Sequence, residues 1–356
     1  MISYSDAGFT FADSSTQATS AFTGGFAMRN RIINGAMVID QRNAGASVTP
    51  TTANPYTLDR WRTVLSQNSK FTLQQNAGSV TPPTGFAKYL GITSSSAYSV
   101  VAGDFFFLQQ QIEGFNAADF AWGTASASSV TISFWVRSSL TGTFGGSLQN
   151  SGFNRSYPFT YTISLANTWE QKSITISGDT TGTWSTDNSS GIKLQFGFGV
   201  GSTYSGTAGA WSGSEFYSAT GSVSIVATSG ATFYITGVQL EKGSTATPFD
   251  YRPYGTELSL CQRYFRYVTL WGTQASTTGG TVFAAGLAMR TTPTISGLLS
   301  IFIENVGLAV SPATVNTTYT SAELVRMQVS FSAAGVIGYS MYTNRDGPGI
   351  SLTAEL

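Results

Sequence analysis

The sequence predicts an all-β protein built as an antiparallel two-sheet sandwich, followed by a short linking helix and a second, smaller β domain. Three observations predict this fold class. Apolar and polar residues alternate over many short runs. Gly, Ser, Asn and Asp separate those runs, and one stretch only, after residue 253, has helical spacing. The 356 residues are enough for two domains, each with its own core.

The first 29 residues predict an oligomerisation segment. Its apolar residues sit two apart, as in strands, at Ile2 and Tyr4 and again at Phe9 and Phe11, and Phe22 and Phe26 follow. A piece this short cannot bury four phenylalanines by itself. The sequence therefore predicts that Phe9, Phe11, Phe22 and Phe26 form an interface with a partner chain, and a disordered leader is the alternative.

Residues 30–252 are predicted to form one β domain, a sandwich of about nine antiparallel strands. The run SVTISFWVR places Ile132, Phe134 and Val136 on the face that should meet the opposite sheet. Trp61 is predicted to fill the core, with Asp59 and Arg60 hydrogen-bonding at the strand end. The predicted strands are Ile32 to Ile39, Lys70 to Gln75, Phe105 to Gln111, Val130 to Val136, Thr160 to Leu165, Glu170 to Ile176, Lys193 to Phe198, Ser222 to Val226 and Thr232 to Leu240.

A linking helix is predicted within residues 253–266. Pro and Gly residues interrupt the preceding strand pattern, and apolar residues then recur at helical spacing from Leu258 to Phe265. Thr256 is a plausible N-terminal cap. Cys261 falls on the apolar side of this helix, and as the single cysteine of the chain it is predicted to be a small buried residue.

Residues 267–356 return to strand patterns and predict the second β domain. The main runs are FRYVTLW, TVFAAGLAM, ISGLLSIFIE, RMQVSFS and VIGYSMYT.

Composition argues against several classes of function. The sequence contains no histidine, so the commonest general base and metal ligand is missing, and one cysteine cannot build a thiolate zinc site. The formal charge is +0 without a basic cluster, which argues against nucleic acid as a partner. No apolar run is long enough for membrane insertion, and the start lacks a secretory signal, so synthesis in the cytoplasm of the producing cell is expected. No cofactor, metal site or catalytic residue is predicted.

One long loop carries the strongest candidate for ligand binding. Residues 201–221 hold Tyr204, Trp211, Phe216 and Tyr217 among Gly and Ser, and aromatic rings pack well against the apolar faces of sugar rings. Trp184, near Asp179 and Asp187, is a second candidate. The alternative is that these rings pack under the loop or against a neighbouring subunit, and that the two acids bond turn amides.

Carboxylates could serve in catalysis or in calcium binding. Glycoside hydrolysis needs two carboxylates close together. The nearest pairings in the sequence are Asp104 with Glu113 and Asp119, and Asp179 with Asp187, and no catalytic motif supports them. A structural calcium ion could use Glu241, Asp250, Asp40 and Asp59, but pairing with Lys242, Arg252 or Arg60 is favoured.

Phrases along the chain resemble phage tail fibres and related virion surface proteins. The junction VQLEKGSTATPF and YRPYGTELSLCQRYF carries this most clearly, and GFTFADSSTQATSA resembles a motif that precedes trimeric modules in such fibres. RIINGAMVIDQR, YTLDRW, QQQIEGF, VTISFWVR, NTWEQKSITISGD and ITGVQLEKG together resemble a jelly-roll module shared by phage fibres and carbohydrate-binding modules.

The resemblance implies a jelly-roll sandwich in a homotrimeric virion subunit, in a tail fibre or another surface appendage, where it contacts other tail or head proteins. Its implied task is non-catalytic adhesion to a host cell-surface polysaccharide. A purely structural spacer, collar or capsid decoration protein is one alternative, and a polysaccharide depolymerase is another. MRTTPTI and ISLTAEL resemble terminal modules of such proteins, which implies receptor contact near residues 267–356.

Overall fold

A computed structural model describes residues 3–5, 8–10, 16–17, 28–52, 55–276, 279–296, 301–303, 308–310, 314–330, 340–343 and 350–356. Three short strands come first and pair in one antiparallel sheet: β1 (Ser3–Ser5), β2 (Gly8–Thr10) and β3 (Thr16–Gln17). Phe9 lies in β2, and Phe11, Phe22 and Phe26 lie outside the described residues. The predicted interface therefore stays a prediction.

Two sheets form the sandwich. The six-stranded sheet has the order β11-β10-β13-β8-β5-β4, and the five-stranded sheet has the order β12-β9-β16-β7-β6. Their strands are β4 (Tyr56–Leu58), β5 (Trp61–Leu65), β6 (Phe71–Gln75), β7 (Leu90–Ser94), β8 (Phe105–Glu113), β9 (Val130–Ser138), β10 (Gly142–Asn150), β11 (Ser156–Ile163), β12 (Glu170–Ile176), β13 (Ser190–Val200) and β16 (Thr232–Lys242). Within both sheets every pairing is antiparallel.

The core lies between these sheets and follows the period of two in each strand. Ile132, Phe134 and Val136 of β9 are fully buried, as predicted, and they face Phe144 and Phe196 of the other sheet within one apolar cluster. Trp61 is also fully buried in that cluster, which confirms its predicted place. The inward half of each strand forms this core, and outward residues of β8, β13 and β16 are buried as well.

Two predicted strands are wrong. Residues 32–39 form a turn, in which Asn34 and Met37 have φ of 59° and 58°. The side chain of Asn34 bonds Ile39 at both N–H and C=O, which folds the segment back on itself. Residues 222–226 are irregular, because Val223 and Val226 each make one main-chain bond to β10 or β13 without a continuing ladder.

The linking helix α1 (Tyr254–Gln262) lies within residues 253–266, but its predicted N-terminal cap is wrong. Pro253 occupies the N-cap position, so Thr256 lies inside the helix and is not its cap. Cys261 is buried, as predicted, beside Tyr264, Ile33 and Ile39. The helix thus packs on the turn of residues 32–39, whose outward apolar residues need that cover.

Further β-sheets follow the helix. A three-stranded sheet has the order β17-β26-β20, and a seven-stranded sheet has the order β22-β21-β25-β18-β19-β24-β23. Their strands are β17 (Phe265–Val268), β18 (Trp271–Ser276), β19 (Gly279–Ala285), β20 (Thr294–Ser296), β21 (Ile301–Ile303), β22 (Leu308–Val310), β23 (Thr314–Thr320), β24 (Leu324–Ser330), β25 (Ser340–Thr343) and β26 (Ile350–Thr353). A separate apolar cluster that includes Val282, Met327 and Leu352 fills this part. The all-β fold class with one linking helix is confirmed.

Ion pairs join the end of the chain to the sandwich. The buried Glu355, just after β26, pairs with Arg42 at 2.7 Å and also with Arg60. The Arg60 guanidinium lies 3.6 Å from the ring centroid of Tyr264. Arg263 pairs with Glu113 at 2.7 Å, and Tyr264 donates to the same carboxylate at 2.7 Å.

Candidate functional site

The aromatic residues of the 201–221 loop divide into separate groups. Tyr204 and Tyr217 stack on each other, with ring centroids 4.9 Å apart and planes inclined by 21°. Tyr217 also packs against Phe107 at 4.6 Å, and its hydroxyl donates to Glu215. The ring of Phe216 covers Gly206, where a Cβ atom would lie 2.2 Å from the ring. These contacts hold the loop against β8 and its own short pairing of β14 (Ser205–Gly206) with β15 (Ser218–Ala219).

Trp211 belongs to a different group, the tryptophan cluster of Trp122, Trp184 and Trp211. Their ring centroids lie 4.7 to 5.5 Å apart in edge-to-face arrangements. The Trp211 Nε1–H donates to the Ser177 carbonyl at 2.8 Å, and the Trp184 Nε1–H donates to Asp179 at 3.1 Å. The rings and their N–H groups thus find partners within the chain at the margin of the core.

The predicted residues Tyr204, Trp211, Phe216, Tyr217 and Trp184 are therefore not brought together in one surface. Internal packing accounts for their positions, in line with the alternative stated above. Their contact with a glycan stays a prediction, and the geometry points to a neighbouring surface.

That surface is the outer face of the six-stranded sheet. Because Leu108 of β8, Leu194 of β13 and Leu148 of β10 point into the core, the residues beside them in sequence point outward. The strand registers place Gln195 opposite Gln109, and Gln109 opposite Arg62. They also place Lys193 between Gln111 and Gln149. We call this set the glutamine cluster: Arg62, Gln109, Gln111, Gln149, Lys193 and Gln195.

The four glutamines are almost completely buried although they face away from the core. Gln149 and Gln195 have 0% exposure, and Gln109 and Gln111 have 2% and 5%. Gln195 Nε2–H donates to Gln149 Oε1 at 3.1 Å, which leaves Gln149 Nε2 and Gln195 Oε1 without a partner. A buried amide donor and acceptor in this state need a hydroxyl, from water or from a ligand, to satisfy them.

Two segments cover the outer face around the glutamine cluster, the loop of residues 201–221 and the turn between β10 and β11. At one end Ser218 of the loop approaches Gly145 and Gly197 so closely that a Cβ on Gly145 would lie 2.4 Å from the Ser218 hydroxyl. At the other end Phe153, in the turn between β10 and β11, places its ring centroid 3.2 Å from the Lys193 Nζ. The small residues let the loop lie close to the sheet, and the amides of the cluster are buried there.

Phe153 is held in an unfavourable backbone conformation with its ring exposed. Its φ is 59°, in the left-handed region that bulky side chains avoid, and its side chain is 44% exposed. Asn150 fixes the turn, because its Oδ1 accepts from the N–H groups of Asn154 and Arg155, and its Nδ2 donates to Asn154 at 2.7 Å. The result is a flat aromatic face at the rim of the glutamine cluster.

Two cations complete the site. The Arg62 Nε–H donates to Gln109 Oε1 at 2.8 Å, and Lys193 Nζ donates to the Ser151 carbonyl at 3.4 Å. Burial, together with the Arg62 charge, lowers the pKa of Lys193 to about 8, although Glu215 opposes the shift. The site therefore combines amides, two cationic groups and an exposed aromatic ring, which suits a polar ligand with a flat apolar face.

The glutamine cluster could have been predicted in part, because the sequence of β8 carries a signal for it. In the run FFFLQQQIE, alternate positions place Phe106 and Leu108 inward and Gln109 and Gln111 outward. Long amide side chains at successive outward positions of a central strand are unusual for a plain solvent face. Their neighbours on β10 and β13 could not be found without the strand order.

The carboxylates considered for catalysis have structural partners. Burial opposes ionisation of Asp104, but hydrogen bonds from Val101 N–H, Tyr98 and Ser66 outweigh it and lower its pKa. Asp179 likewise has a lowered pKa, because Arg155, Thr181 and Trp184 outweigh its burial. Hydrogen bonds from Ser189 lower the pKa of Asp187.

The predicted ion pairs of the four calcium candidates are wrong. Asp40 accepts from the N–H groups of Asn43 and Gly45, and Asp59 accepts from Gln41. Glu241 accepts from Thr247, and Asp250 accepts from the Asn30 N–H. Arg60 pairs instead with Glu355, Arg252 with Glu257 and Lys242 with Asp119.

The described residues hold neither a metal-binding group of acidic, His or Cys side chains nor a membrane-spanning helix. They contain no group of three or more His, Cys, Asp or Glu side chains placed to hold a metal ion. Within the same residues, α1 and the other helical segments are too short or too polar to cross a membrane.

A cavity of about 230 Å³ lies near the linking helix, beside Phe86, Phe249 and Tyr251. Its polar neighbours are already bonded within the chain, since Arg252 donates to Glu257 and to the Ile32 carbonyl. It offers fewer unmet polar groups than the glutamine cluster.

No protein-family model matches the chain, and no curated protein does. Among solved structures, the enzymatically active domain of tailspike protein 4 from bacteriophage CBA120 has 10% identity and a TM-score of 0.32, over 60% of this chain and 22% of that one. A putative sugar binding protein from Bacteroides thetaiotaomicron has 12% identity and a TM-score of 0.34, over 60% and 100%.

A family 11 carbohydrate-binding module from Clostridium thermocellum, in complex with a β-1,3-1,4-mixed-linked tetrasaccharide, has 11% identity and a TM-score of 0.28, over 56% of this chain and 98% of that one. This chain thus spans less than a quarter of the tailspike domain that it matches. Similarity at this level assigns neither a ligand nor an activity to the chain.

Proposed function

We propose that the protein binds a saccharide without cleaving it, at the glutamine cluster on the outer face of the six-stranded sheet. The observation that carries the proposal is the buried pair of unmet polar atoms, Gln149 Nε2 and Gln195 Oε1. One is a donor and the other an acceptor, and a sugar hydroxyl can serve both.

The exposed ring of Phe153 supports the same proposal. Sugar rings present an apolar face of C–H groups, which packs on aromatic rings, and their edges carry hydroxyls. At this site the ring and the amides are neighbours, linked through Lys193. The strained φ of Phe153 indicates that the turn keeps the ring exposed at some cost in free energy.

The proposed setting is the surface of a phage particle, with the chain as a homotrimeric tail fibre or other receptor-binding subunit. The resemblance at the junction of residues 235–265 supports this setting. Electron micrographs of particles labelled with an antibody against the protein would test it. Absence of label from intact virions would contradict a virion location.

Binding of the full chain to a glycan array tests the function. We expect binding to at least one class of saccharide, and Phe153→Ala should weaken it about tenfold, the equivalent of about 1.4 kcal/mol. Phe283→Ala is the matched control, because Phe283 is half-exposed on a strand after the helix. Unchanged affinity of a folded Phe153→Ala variant would remove this ring from the site.

Gln195→Ala tests the floor of the site. It should lower affinity for the glycan, whereas Gln171→Ala should not, since Gln171 is an exposed glutamine of β12 in the other sheet.

Trp211→Ala tests whether the loop of residues 201–221 is the binding site instead. We expect this variant to have lower thermal stability and, where it is folded, unchanged affinity for the glycan. Loss of affinity in Trp211→Ala alone would return the site to the loop.

A silent glycan array would contradict saccharide binding and favour the structural spacer. Release of reducing ends from a bound polysaccharide, measured after long incubation, would contradict the absence of catalysis.

A further inference from the structure

The glutamine cluster holds two cationic groups, on which Glu215 and Glu355 act without forming an ion pair. Lys193 is 4% exposed, and Ser151 C=O and the Phe153 ring are the neighbours of its ammonium group. Arg62 bonds a neutral amide, Gln109. Within the described part of the chain, neither cation lies in an ion pair.

The two cations lie on the same face with one strand between them. Arg62 is on β5 and Lys193 is on β13, and β8 separates them, so they are two strand spacings apart, about 10 Å across the sheet. Glu215 is the acidic group that acts on Lys193, but its carboxylate also accepts the Tyr217 hydroxyl. Partly desolvated like charges on one face of a sheet are unfavourable unless a counter-charge joins them.

We infer that the saccharide is anionic. Its carboxylate or sulfate group would lie between Lys193 and Arg62, and its hydroxyls would meet Gln149 Nε2 and Gln195 Oε1. This inference rests on the proposed function and names the chemical class of its ligand. A neutral sugar could satisfy the amides of Gln149 and Gln195, but it would leave Lys193 and Arg62 without an ion-pair partner. An anionic sugar could satisfy all four side chains.

The test uses a glycan array that includes uronic-acid oligosaccharides, their carboxyl-reduced forms and sulfated oligosaccharides. We expect the acidic members to bind at least about tenfold more tightly than their reduced counterparts, as charge-assisted hydrogen bonds require. Preference for sulfate over carboxylate would identify the anion. Binding to neutral glycans alone would overturn this inference and leave the proposed function standing; binding to nothing would overturn both.

Variants at the two cations sharpen the test. Lys193→Gln and Arg62→Gln should each weaken binding of the acidic glycan about tenfold or more. Lys172→Gln is the matched control, because Lys172 pairs with Glu170 on β12 of the other sheet. Equal affinity of Lys193→Gln and the wild type for the acidic glycan would contradict the inference.

A measurement on the unaltered chain avoids dependence on variants. Affinity for the acidic glycan should fall with added salt, and it should fall again as the pH rises above about 8, because Lys193 then loses its charge unless the ligand is bound. Arg62 keeps its charge over this range, because an arginine guanidinium is not deprotonated in proteins. Affinity that is constant from pH 7 to pH 9.5 would overturn the role of Lys193.

Discussion

At the scale of single residues, burial of apolar side chains in the core could be predicted from the sequence. Trp61, Cys261 and the inward residues of β9 were predicted to be buried because each is apolar at the right period, and the structure buries them all. The glutamine cluster escaped prediction because its six residues come from four strands whose order the sequence does not state. Burial of a glutamine, unlike burial of a phenylalanine, follows from its neighbours in space.

The pH dependence of stability tests whether Lys193 is buried. Its pKa is lowered to about 8 in the folded chain, below its usual value of 10.5, because burial and Arg62 disfavour the charge. Between about pH 8 and pH 10.5, Lys193 therefore binds more protons in the unfolded chain than in the folded chain. The free energy of unfolding rises with pH over this range as a result.

We expect the wild type to gain stability relative to Lys193→Gln as the pH rises from about 8 to 9.5. Urea midpoints of both proteins at several pH values would measure this difference, and comparison of the two removes the titration of other groups. Parallel midpoints over the whole range would show that Lys193 keeps its ordinary pKa.

At the scale of elements, seven of the nine predicted sandwich strands exist, whereas β4, β5, β7 and β10 were not predicted. The wrong predictions have local causes. Residues 32–39 alternate well enough for a strand, yet the left-handed φ of Asn34 and its side-chain bonds to Ile39 make a turn. Asn34 also donates to the Asp59 carbonyl at 2.9 Å. Sequence alternation does not report such bonds, so the turn could not be predicted from it.

Two substitutions of Asn34 separate the contributions to this turn. Asn34→Gly keeps the left-handed conformation but removes the buried hydrogen bonds, which we expect to cost about 1 to 3 kcal/mol. Asn34→Ala removes the same bonds and adds roughly 1 to 2 kcal/mol of backbone strain. Chemical denaturation would measure both, and an alanine variant as stable as the glycine variant would contradict the strain.

At the scale of the whole molecule, the all-β class and the linking helix could be predicted, but the contacts that join the parts could not. Glu355 lies almost 300 positions from Arg60, and the two side chains pair at the junction near the helix. Assembly into a homotrimer, which the resemblance to phage fibres implies, stays a prediction that sedimentation equilibrium of the full chain would test.

Loss of the Glu355 carboxylate should be costly. Arg60 is 1% exposed, and Glu355 outweighs its burial and raises its pKa. Glu355→Gln would leave that buried cation without a counter-charge, for which we expect a loss of about 3 to 5 kcal/mol in unfolding free energy. Glu323→Gln, at an exposed position, is the control. A loss no larger than that of the control would show that the pair contributes little.

The double pairing of Glu355 also bears on how the molecule would respond to a pulling force. Arg42 and Arg60 hold one carboxylate from the sandwich side, and β26 holds the adjacent backbone from the other. Tension applied across this junction would load both ion pairs in parallel, so they would rupture together at a single threshold. An adhesive subunit stretched between a surface and a moving particle would benefit from such a brittle joint, which stays stiff until it fails.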